Sequence, residues 1–306
     1  MINKNLLLCG CGTIGQILYA DFKQMAEKMN GECLVYDPIK FNQTDDVLKY
    51  DFQAAFVCVP TPSLQDGSCD NSVVLDVISK IKAEVIVIKS TISLDIIPEL
   101  SKYNNVIFSP EYTSNNQHKG VQNFVVLGGE RKLCNKVAEL YRLIKTADFE
   151  IVYTDIKTAI LAKYMINCYL AMKVAFCSEF YLACEMSGVE YDDVRNIFIK
   201  DSRVNPSHTN IIGNKAYYDS HCLNKDIPAF VKMFESNKNI FLMKEVDKIN
   251  NVRKGKLKKN EMLELLENEL IRYRKIFLKD KEENFKYNRF LTSINCHIED
   301  IENWQY

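Results

Sequence analysis

The sequence predicts an α/β fold, with a doubly wound, mostly parallel sheet followed by an all-helical region built on one long helix. Short apolar runs alternate with helical patterns in the first half of the chain, as in parallel sheets covered by helices on both faces. A glycine-rich turn follows the first run. From about residue 155 the pattern is helical alone, and residues 158–187 form one candidate helix without Pro or Gly.

The first element is a buried strand over residues 6–10, with the glycine-rich turn Gly10-Cys11-Gly12-Thr13-Ile14-Gly15 at its end. A helix is predicted from Thr13 to Met29, followed by a second strand over residues 33–37. This order is typical of a Rossmann dinucleotide-binding unit. The three glycines would permit a tight turn, a close approach to a pyrophosphate and close packing of helix on strand, in that order.

Asp37 ends the second strand, 22 residues after Gly15, where such units hold an acid. Its carboxylate would accept hydrogen bonds from the adenosine ribose and repel a 2′-phosphate, so NAD is predicted rather than NADP. Thr13 and Ile14 open the helix and complete the predicted cofactor-binding turn. A glycine-rich turn in a nucleotide-free α/β protein is the alternative.

The alternation continues with four more apolar strands. Polar residues follow three of them, namely Thr61, Thr91 and Glu111. These positions are carboxyl ends of strands, where open α/β sheets bind ligands. The predicted strands cover residues 54–59, 85–88, 106–108 and 124–127, and the predicted helices between them cover residues 71–82 and 95–102.

In the helical region, Lys163 and Asn167 are four residues apart and therefore share one face of the long helix. Cys222 lies beside His221 and near Lys225, in surroundings that favour a thiolate. Its alternative role is that of a small buried hydrophobe. Further helices are predicted over residues 192–200 and from about Ile227.

Composition restricts the function classes. The 306-residue chain has a formal net charge of -1, which gives no electrostatic reason to expect nucleic acid as a partner. No apolar run approaches ~20 residues and no secretory segment is recognisable, so a cytoplasmic protein without a membrane span is expected. Its 11 cysteines lack CxxC spacing, which favours reduced thiols over disulfides or a metal site.

Three regions are predicted: a Rossmann NAD-binding domain over residues 1–154, a helical central domain over residues 155–243, and a charged helical tail over residues 244–306. The tail contains a basic cluster over residues 253–259 and an acidic one over residues 261–269. Such charge runs are usually solvated faces or helix–helix contacts.

Taken in order, the motifs resemble those of the UDP-glucose/GDP-mannose dehydrogenase family over about residues 5–230. The matching motifs are Gly10-x-Gly12-x-x-Gly15, Asp37, Val59-Pro60-Thr61-Pro62, Ser90-Thr91, Ser109-Pro110-Glu111, Lys163 with Asn167, Ala171-x-Lys173-x-x-Phe176-x-x-Glu179, and Cys222-Leu223-x-Lys225-Asp226.

The resemblance implies an NAD-dependent, two-step oxidation of a nucleotide sugar's primary alcohol to a carboxylate, with UDP-glucose as the default substrate. Cys222 would be the nucleophile that holds the aldehyde as a thiohemiacetal. Lys163 and Asn167 would stabilise the oxyanion. Asp226 and Thr91 would hold a water that takes and returns protons, and Glu111 would be the general base for thioester hydrolysis.

The resemblance also implies that Pro60, Thr61, Thr91 and Lys225 line the cofactor, and that helix 158–187 forms a homodimer. Two other functions stay open at this point. One is a dehydrogenase that removes one hydride from a smaller hydroxy compound. The other is a cofactor-binding pseudoenzyme with a role in assembly or regulation.

The sequence departs from the family pattern in three places. The Gly-Phe-Gly-Gly run before the cysteine is Tyr217-Tyr218-Asp219-Ser220 here, which predicts a reshaped loop with a negative charge near Cys222. Ile160 replaces an acid, and Tyr112-Thr113-Ser114-Asn115 replaces the Leu-Arg-Glu-Gly of the glucose-specific members. The chain stops where the family begins a second Rossmann domain, so a truncated member is expected.

Overall fold

The computed structural model describes residues 4–112, 123–211 and 215–255. Seven strands form one sheet in the order β2-β1-β3-β4-β5-β6-β7. Strands β1 to β5 are parallel, whereas β6 pairs antiparallel with β5 and parallel with β7. The strands are β1 Leu6–Cys9, β2 Cys33–Tyr36, β3 Asp51–Val57, β4 Lys82–Ile88, β5 Val106–Phe108, β6 Phe124–Gly128 and β7 Glu150–Thr154.

Within the described residues, five helices accompany the sheet and four follow it, and they confirm the predicted α/β architecture with a long central helix. Two short 3₁₀ helices cover Asp45–Lys49 and Leu94–Ile96. The α-helices are α1 Thr13–Lys28, α2 Pro38–Phe41, α3 Ser72–Lys80, α4 Ile97–Leu100, α5 Arg131–Arg142, α6 Ile156–Ser187, α7 Tyr191–Phe198, α8 His221–Met233 and α9 Leu242–Arg253.

The sheet is covered on both faces, and alternate residues of β1 show how. Leu6 and Leu8 pack with buried residues of α1 and α5, whereas Leu7 and Cys9 pack with those of α3 and the start of α6. All four strand residues are fully buried. Burial on both faces explains why these strands appear in the sequence as continuous apolar runs instead of alternating ones.

Strand β7 was missing from the sequence prediction. Its residues Glu150-Ile151-Val152-Tyr153-Thr154 lie at the sheet edge and are only partly buried. They include the β-branched and aromatic types that favour strands, so a signal was present. The antiparallel pair of the sheet is β5 with β6, β7 extends the sheet parallel to β6, and β7 leads directly into α6.

Helix α6 spans 32 residues. The Asp155 carboxylate accepts a hydrogen bond from the Thr158 backbone N–H at its start, and Gly188 ends it with a left-handed φ of 64°. Its length and composition would also suit a membrane span, although the sequence predicted none. The core helix of a globular protein passes the same test, and 44% of this apolar stretch is buried.

Backbone contacts divide the chain into two compact units, Met1–Val246 and Asp247–Tyr306. The predicted boundary between residues 154 and 155 stays a prediction. Residues 113–115, where the sequence departs from the family, and the tail beyond residue 255 lie outside the described residues.

Candidate active site

The glycine turn lies at the carboxyl end of β1, as the motif predicted. Gly10 has a φ of +87°, and a Cβ there would come within 2.6 Å of the Cys58 carbonyl oxygen. A Cβ on Gly15 would lie 2.0 Å from the Gly10 carbonyl oxygen. Gly12 has open space around it instead. The fold therefore requires glycine at the first and third positions and leaves room for a ligand at the second.

Asp37 follows β2 and holds the glycine turn in place. One carboxylate oxygen accepts the Cys11 backbone N–H at 2.8 Å, and the other accepts the Lys40 backbone N–H at 3.0 Å. The Lys40 ammonium also donates to the Cys11 carbonyl oxygen at 3.1 Å, a contact that the sequence reading missed. An open glycine turn beside a carboxylate at this strand end fits the pyrophosphate and ribose of NAD.

The predicted cofactor residues after β3 and β4 lie at the same sheet edge. Thr61 is buried, Pro60 is exposed and Thr91 is half-buried. The Ser90 hydroxyl donates to the Val59 carbonyl oxygen at 2.7 Å and so ties the two strand ends together. The Thr91 carbonyl oxygen accepts from the Cys69 thiol at 3.7 Å. Within the described residues, the Thr91 hydroxyl makes no hydrogen bond to Asp226.

Helices α6 and α8 bring four of the predicted residues into one chain of contacts. The Asn167 amide donates to one oxygen of Asp226 at 2.6 Å, and the Lys225 ammonium donates to the other oxygen at 2.6 Å. The Lys163 ammonium donates to the side-chain oxygen of Asn167 at 3.5 Å, and the Lys225 ammonium donates to the Thr61 hydroxyl at 3.4 Å. The network therefore runs from α6 through α8 to the end of β3.

Lys163 is buried at the α6 end of this network. Burial lowers its pKa below the usual value, and the nearby Asp226 and Cys222 offset part of that effect. The ammonium also lies 5.2 Å from the centre of the Tyr112 ring, within the range of a cation–π contact. Burial makes the charged form of this lysine energetically costly. A buried ammonium of this kind, beside an amide donor, is suited to stabilising a developing oxyanion.

Cys222 is the second residue of α8, so the prediction that this helix begins near Ile227 was wrong. The Ser220 hydroxyl caps the helix by accepting from the Leu223 N–H at 3.2 Å, which sequence reasoning overlooked. Among the ten described cysteines, Cys222 is the exposed one, and all ten are free thiols. Its exposure distinguishes it from the buried Cys168, whose pKa is raised to about 12 by burial.

Glu111 follows β5 and is buried. It forms a buried ion pair with Lys89, whose ammonium lies 3.2 Å from a Glu111 oxygen and 3.3 Å from the Ser109 hydroxyl. Burial alone would lower the pKa of Lys89, but Tyr141 and the Glu111 carboxylate together hold it above its usual value. Sequence reasoning missed Lys89, although a lysine that directly follows a buried strand was a visible signal.

The loop that departs from the family pattern places one of its side chains in the core and another at the surface. Tyr218 is buried and packs in an apolar cluster with residues of α6 and α8, including Ala171 and Ile227. The Asp219 carboxylate is exposed and accepts from the Asn224 amide at 3.0 Å. Ile160, at the other departure, is fully buried in the core beneath the sheet. Two of the replacements are thus core residues.

In the part of the chain that the structure describes, no group of three His, Cys, Asp or Glu side chains is placed to hold a metal ion.

A model of the central domain of the UDP-glucose/GDP-mannose dehydrogenase family matches residues 157–252. The matched segment contains Lys163, Asn167, Cys222 and Asp226. Over this segment the chain is similar to the members of this family. Its members use NAD and bind nucleotide sugars.

Individual relatives are distant. The chain is 26% identical over 234 residues to UDP-glucose 6-dehydrogenase of Rickettsia bellii. The aligned region makes up 71% of this chain and 53% of that protein. It is 32% identical over 194 residues to UDP-N-acetyl-D-mannosamine dehydrogenase of Methanococcus maripaludis, covering 58% and 44%. The chain therefore spans about half the length of the curated relatives it matches.

The fold is shared with solved structures. A UDP-glucose dehydrogenase from Pyrobaculum islandicum superposes with a TM-score of 0.65 over 87% of this chain and 71% of that chain. The two are 18% identical, so this likeness concerns the fold alone.

Proposed function

We propose that this chain oxidises the primary alcohol of a nucleotide sugar to a carboxylate in two steps, with NAD as cofactor and UDP-glucose as the default substrate. The observation that carries the proposal is the contact between Asn167 and Asp226, which are 59 residues apart on different helices. Cys222 precedes Asp226 by one turn of α8, so the thiol and the buried polar network share a side of that helix.

NAD, when bound, supplies the hydride acceptor for both oxidations. The chain's residues supply the proton and charge chemistry. As the sugar alcohol loses its proton, Lys163 and Asn167 stabilise the negative charge on its oxygen. Asp226 and Thr91 hold the water that takes this proton. Lys163 is suited to this role because it is buried away from competing water.

The aldehyde is held covalently. The Cys222 thiolate attacks the carbonyl carbon, a C–S bond forms, and the oxygen becomes the anion that Lys163 and Asn167 stabilise. The second oxidation of this thiohemiacetal leaves a thioester. Water then attacks the acyl carbon while Glu111 takes one of its two protons, and the C–S bond breaks with its electrons returning to the Cys222 sulfur as a thiolate. The acid product releases its remaining proton to solvent and departs as the carboxylate.

Lys225 connects the two halves of the proposed site. It binds Asp226 beside the sugar position and Thr61 at the cofactor edge. Asp37 supports the choice of NAD, since its carboxylate would repel a 2′-phosphate. The Lys225 bridge therefore couples the placement of α8 to the sheet edge where the nicotinamide would lie.

The proposal includes a homodimer formed through α6. Five large apolar side chains on one side of this helix are between 40% and 75% exposed. Together they are called the exposed stripe of α6, and they are Leu161, Met165, Tyr169, Phe176 and Phe180. Burying such a stripe against a second copy would remove it from water. A cytoplasmic location remains a prediction from the sequence.

The direct test follows NADH while the purified chain is incubated with NAD and a panel of UDP- and GDP-sugars. The proposal expects two NADH per sugar consumed. Cys222→Ala should lose this activity or stop at one NADH, because no thiol holds the aldehyde. Cys33→Ala, at the far end of β2, is the matched control and should keep the two-to-one ratio.

Other outcomes would replace the proposal. One NADH from a hydroxy compound without a nucleotide would favour a two-electron dehydrogenase. NAD binding by calorimetry with no oxidation of any sugar in the panel would favour a cofactor-binding protein without catalysis.

A further inference from the structure

The Lys89–Glu111 ion pair lies deep in the sheet edge. Lys89 follows β4 and Glu111 follows β5, and their side chains are 1% and 7% exposed. One Glu111 oxygen lies 3.2 Å from the Lys89 ammonium, and the other accepts the Tyr112 backbone N–H at 3.1 Å. Both carboxylate oxygens are thus held, which fixes the orientation of the group.

The groups that face this pair come from four other places in the fold. Cys58 follows β3, Tyr112 is next to Glu111, and Tyr141 belongs to α5. The fourth is Lys163 of α6, whose pKa the Glu111 charge raises. Burial raises the pKa of both tyrosines and raises that of Cys58 to about 12. All three are therefore uncharged near neutral pH.

Beyond Tyr141, Asp21 of α1 is already paired with Lys145 at 2.5 Å. Among the cationic groups near Glu111 in the described residues, Lys89 is in direct contact and Lys163 acts at longer range. An isolated carboxylate at this depth would favour its protonated form, because burial penalises charge. A lysine in contact reverses that preference.

We propose that Lys89 is a positioning residue that keeps Glu111 ionised and oriented for the hydrolysis of the Cys222 thioester. This inference rests on the proposed function. Water adds to the acyl carbon and gives its proton to Glu111, while the C–S bond electrons return to the Cys222 sulfur. Lys89 touches none of the reacting atoms. It acts by making Glu111 a proton acceptor over a wider pH range.

The first experiment needs no substrate. The carboxyl carbon of Glu111 is followed by ¹³C NMR during a pH titration, and Glu111→Gln identifies its signal. In Lys89→Gln we expect the titration midpoint to rise by at least about one pH unit, since a contacting opposite charge is typically worth 1–3 units. Lys89→Arg keeps the charge and should restore most of the wild-type midpoint.

The second experiment measures hydrolysis in a single turnover, by the mass of the acyl group on Cys222 after rapid quenching. In Lys89→Gln the acyl form should persist about tenfold longer at neutral pH, because a poorly oriented Glu111 loses part of the roughly 10²- to 10⁴-fold that a positioned general base contributes. The acid limb of its pH profile should move to higher pH. In a Glu111→Gln background, Lys89→Gln should add less than about twofold, because the lysine acts through that carboxylate.

Lys136→Met is the matched control, since this lysine pairs with Glu84 at 2.6 Å on the exposed side of the same domain. It should change neither readout. Lys89→Met serves as a second neutral variant if Lys89→Gln does not fold, and the Arg variant reports the same contact with its charge kept.

The two ideas fail in different ways. If the wild type forms no acyl group with any sugar nucleotide, the proposed function is wrong, and the hydrolytic role of Lys89 falls with it. If the wild type turns over normally but neutral Lys89 variants keep the wild-type midpoint and hydrolysis rate, the inference about Lys89 is overturned while the proposed function stands.

Discussion

The two sides of α6 differ in a way opposite to that of an ordinary surface helix. The buried side carries Lys163 and Asn167, which are 8% and 5% exposed, among small and aromatic core residues. The other side carries the exposed stripe, which includes Met165 at 75% exposure. Amphipathic helices of globular proteins usually place apolar residues inside and charged residues outside.

The contrast separates two kinds of constraint on one helix. Polar groups on the buried side have partners within the chain, because Asn167 binds Asp226 and Lys163 binds Asn167. Apolar groups on the other side lie exposed, which is costly unless a partner covers them. We interpret the buried side as the part selected for chemistry and the exposed side as the part selected for assembly.

The largest expected effect comes from the buried side. Lys163→Met should lower kcat by about 10²- to 10³-fold, because removing one donor from an oxyanion site typically costs that much. Folding should not suffer, since the change removes a buried charge and leaves Asp226 with its contacts to Asn167 and Lys225. NADH formation and thermal melting measure the two consequences separately.

The pH dependence of stability provides the check for that variant. Burial lowers the pKa of Lys163 below 10.5 in the folded chain, whereas the unfolded chain keeps the usual value. As the pH rises through this interval, the folded state releases the proton first, so wild-type stability increases relative to Lys163→Met. If the free energy of unfolding changed with pH equally in the two proteins, burial would not lower the pKa of Lys163.

The next effect concerns the exposed stripe. Glutamate at both Phe176 and Phe180 should weaken self-association at least about 30-fold, because losing a central aromatic anchor typically costs 2 kcal/mol or more. Light scattering after size exclusion should move from twice the chain mass of 35.4 kDa to that mass. Leu143→Glu is the control, since Leu143 is 41% exposed, close to the 46% of Phe176, but lies at the end of α5.

A wild-type chain that is monomeric at all concentrations tested would remove the assembly explanation for the exposed side. An unchanged dimer in the double variant would place the interface elsewhere.

The smallest expected effect concerns Gly188, which ends α6. Gly188 has a left-handed φ of 64°, and a Cβ there would meet nothing within 4 Å. Gly188→Ala should therefore cost about 1–2 kcal/mol from backbone conformation alone. Urea unfolding measures it, with Ser187→Ala as the neighbouring control. A loss well above this range would reveal packing around Gly188 that the open space does not account for.

Part of the site was predictable because its signals are close in sequence. Lys163 and Asn167 are one helical turn apart, and periodicity places them on one face without further information. Asp226 and Lys225 are adjacent, so their shared neighbourhood was also expected. The partners were not predictable, because the link from Asp226 to Asn167 and that from Lys225 to Thr61 cross 59 and 164 residues.

Tyr218 shows the limit of comparing motifs alone. Its bulky ring stands where the family run has Phe, in a stretch whose departures from the family predicted a reshaped loop. In the structure its ring is buried between α6 and α8, so most of that bulk serves the core. Side-chain direction depends on how the two helices pack, and a short motif carries no information about that packing.

By itself, the sequence determined the strand, glycine turn, helix and acid at the N-terminus, and the long helix that follows the sheet. These features depend on backbone sterics and hydrophobic periodicity, which act over a few residues. Only the tertiary structure decided which side of α6 is buried, that Glu111 is paired with Lys89, and that Cys222 lies in the first turn of α8. Those outcomes depend on which distant segments exclude water from one another, because burial decides whether a charged or polar group needs a partner.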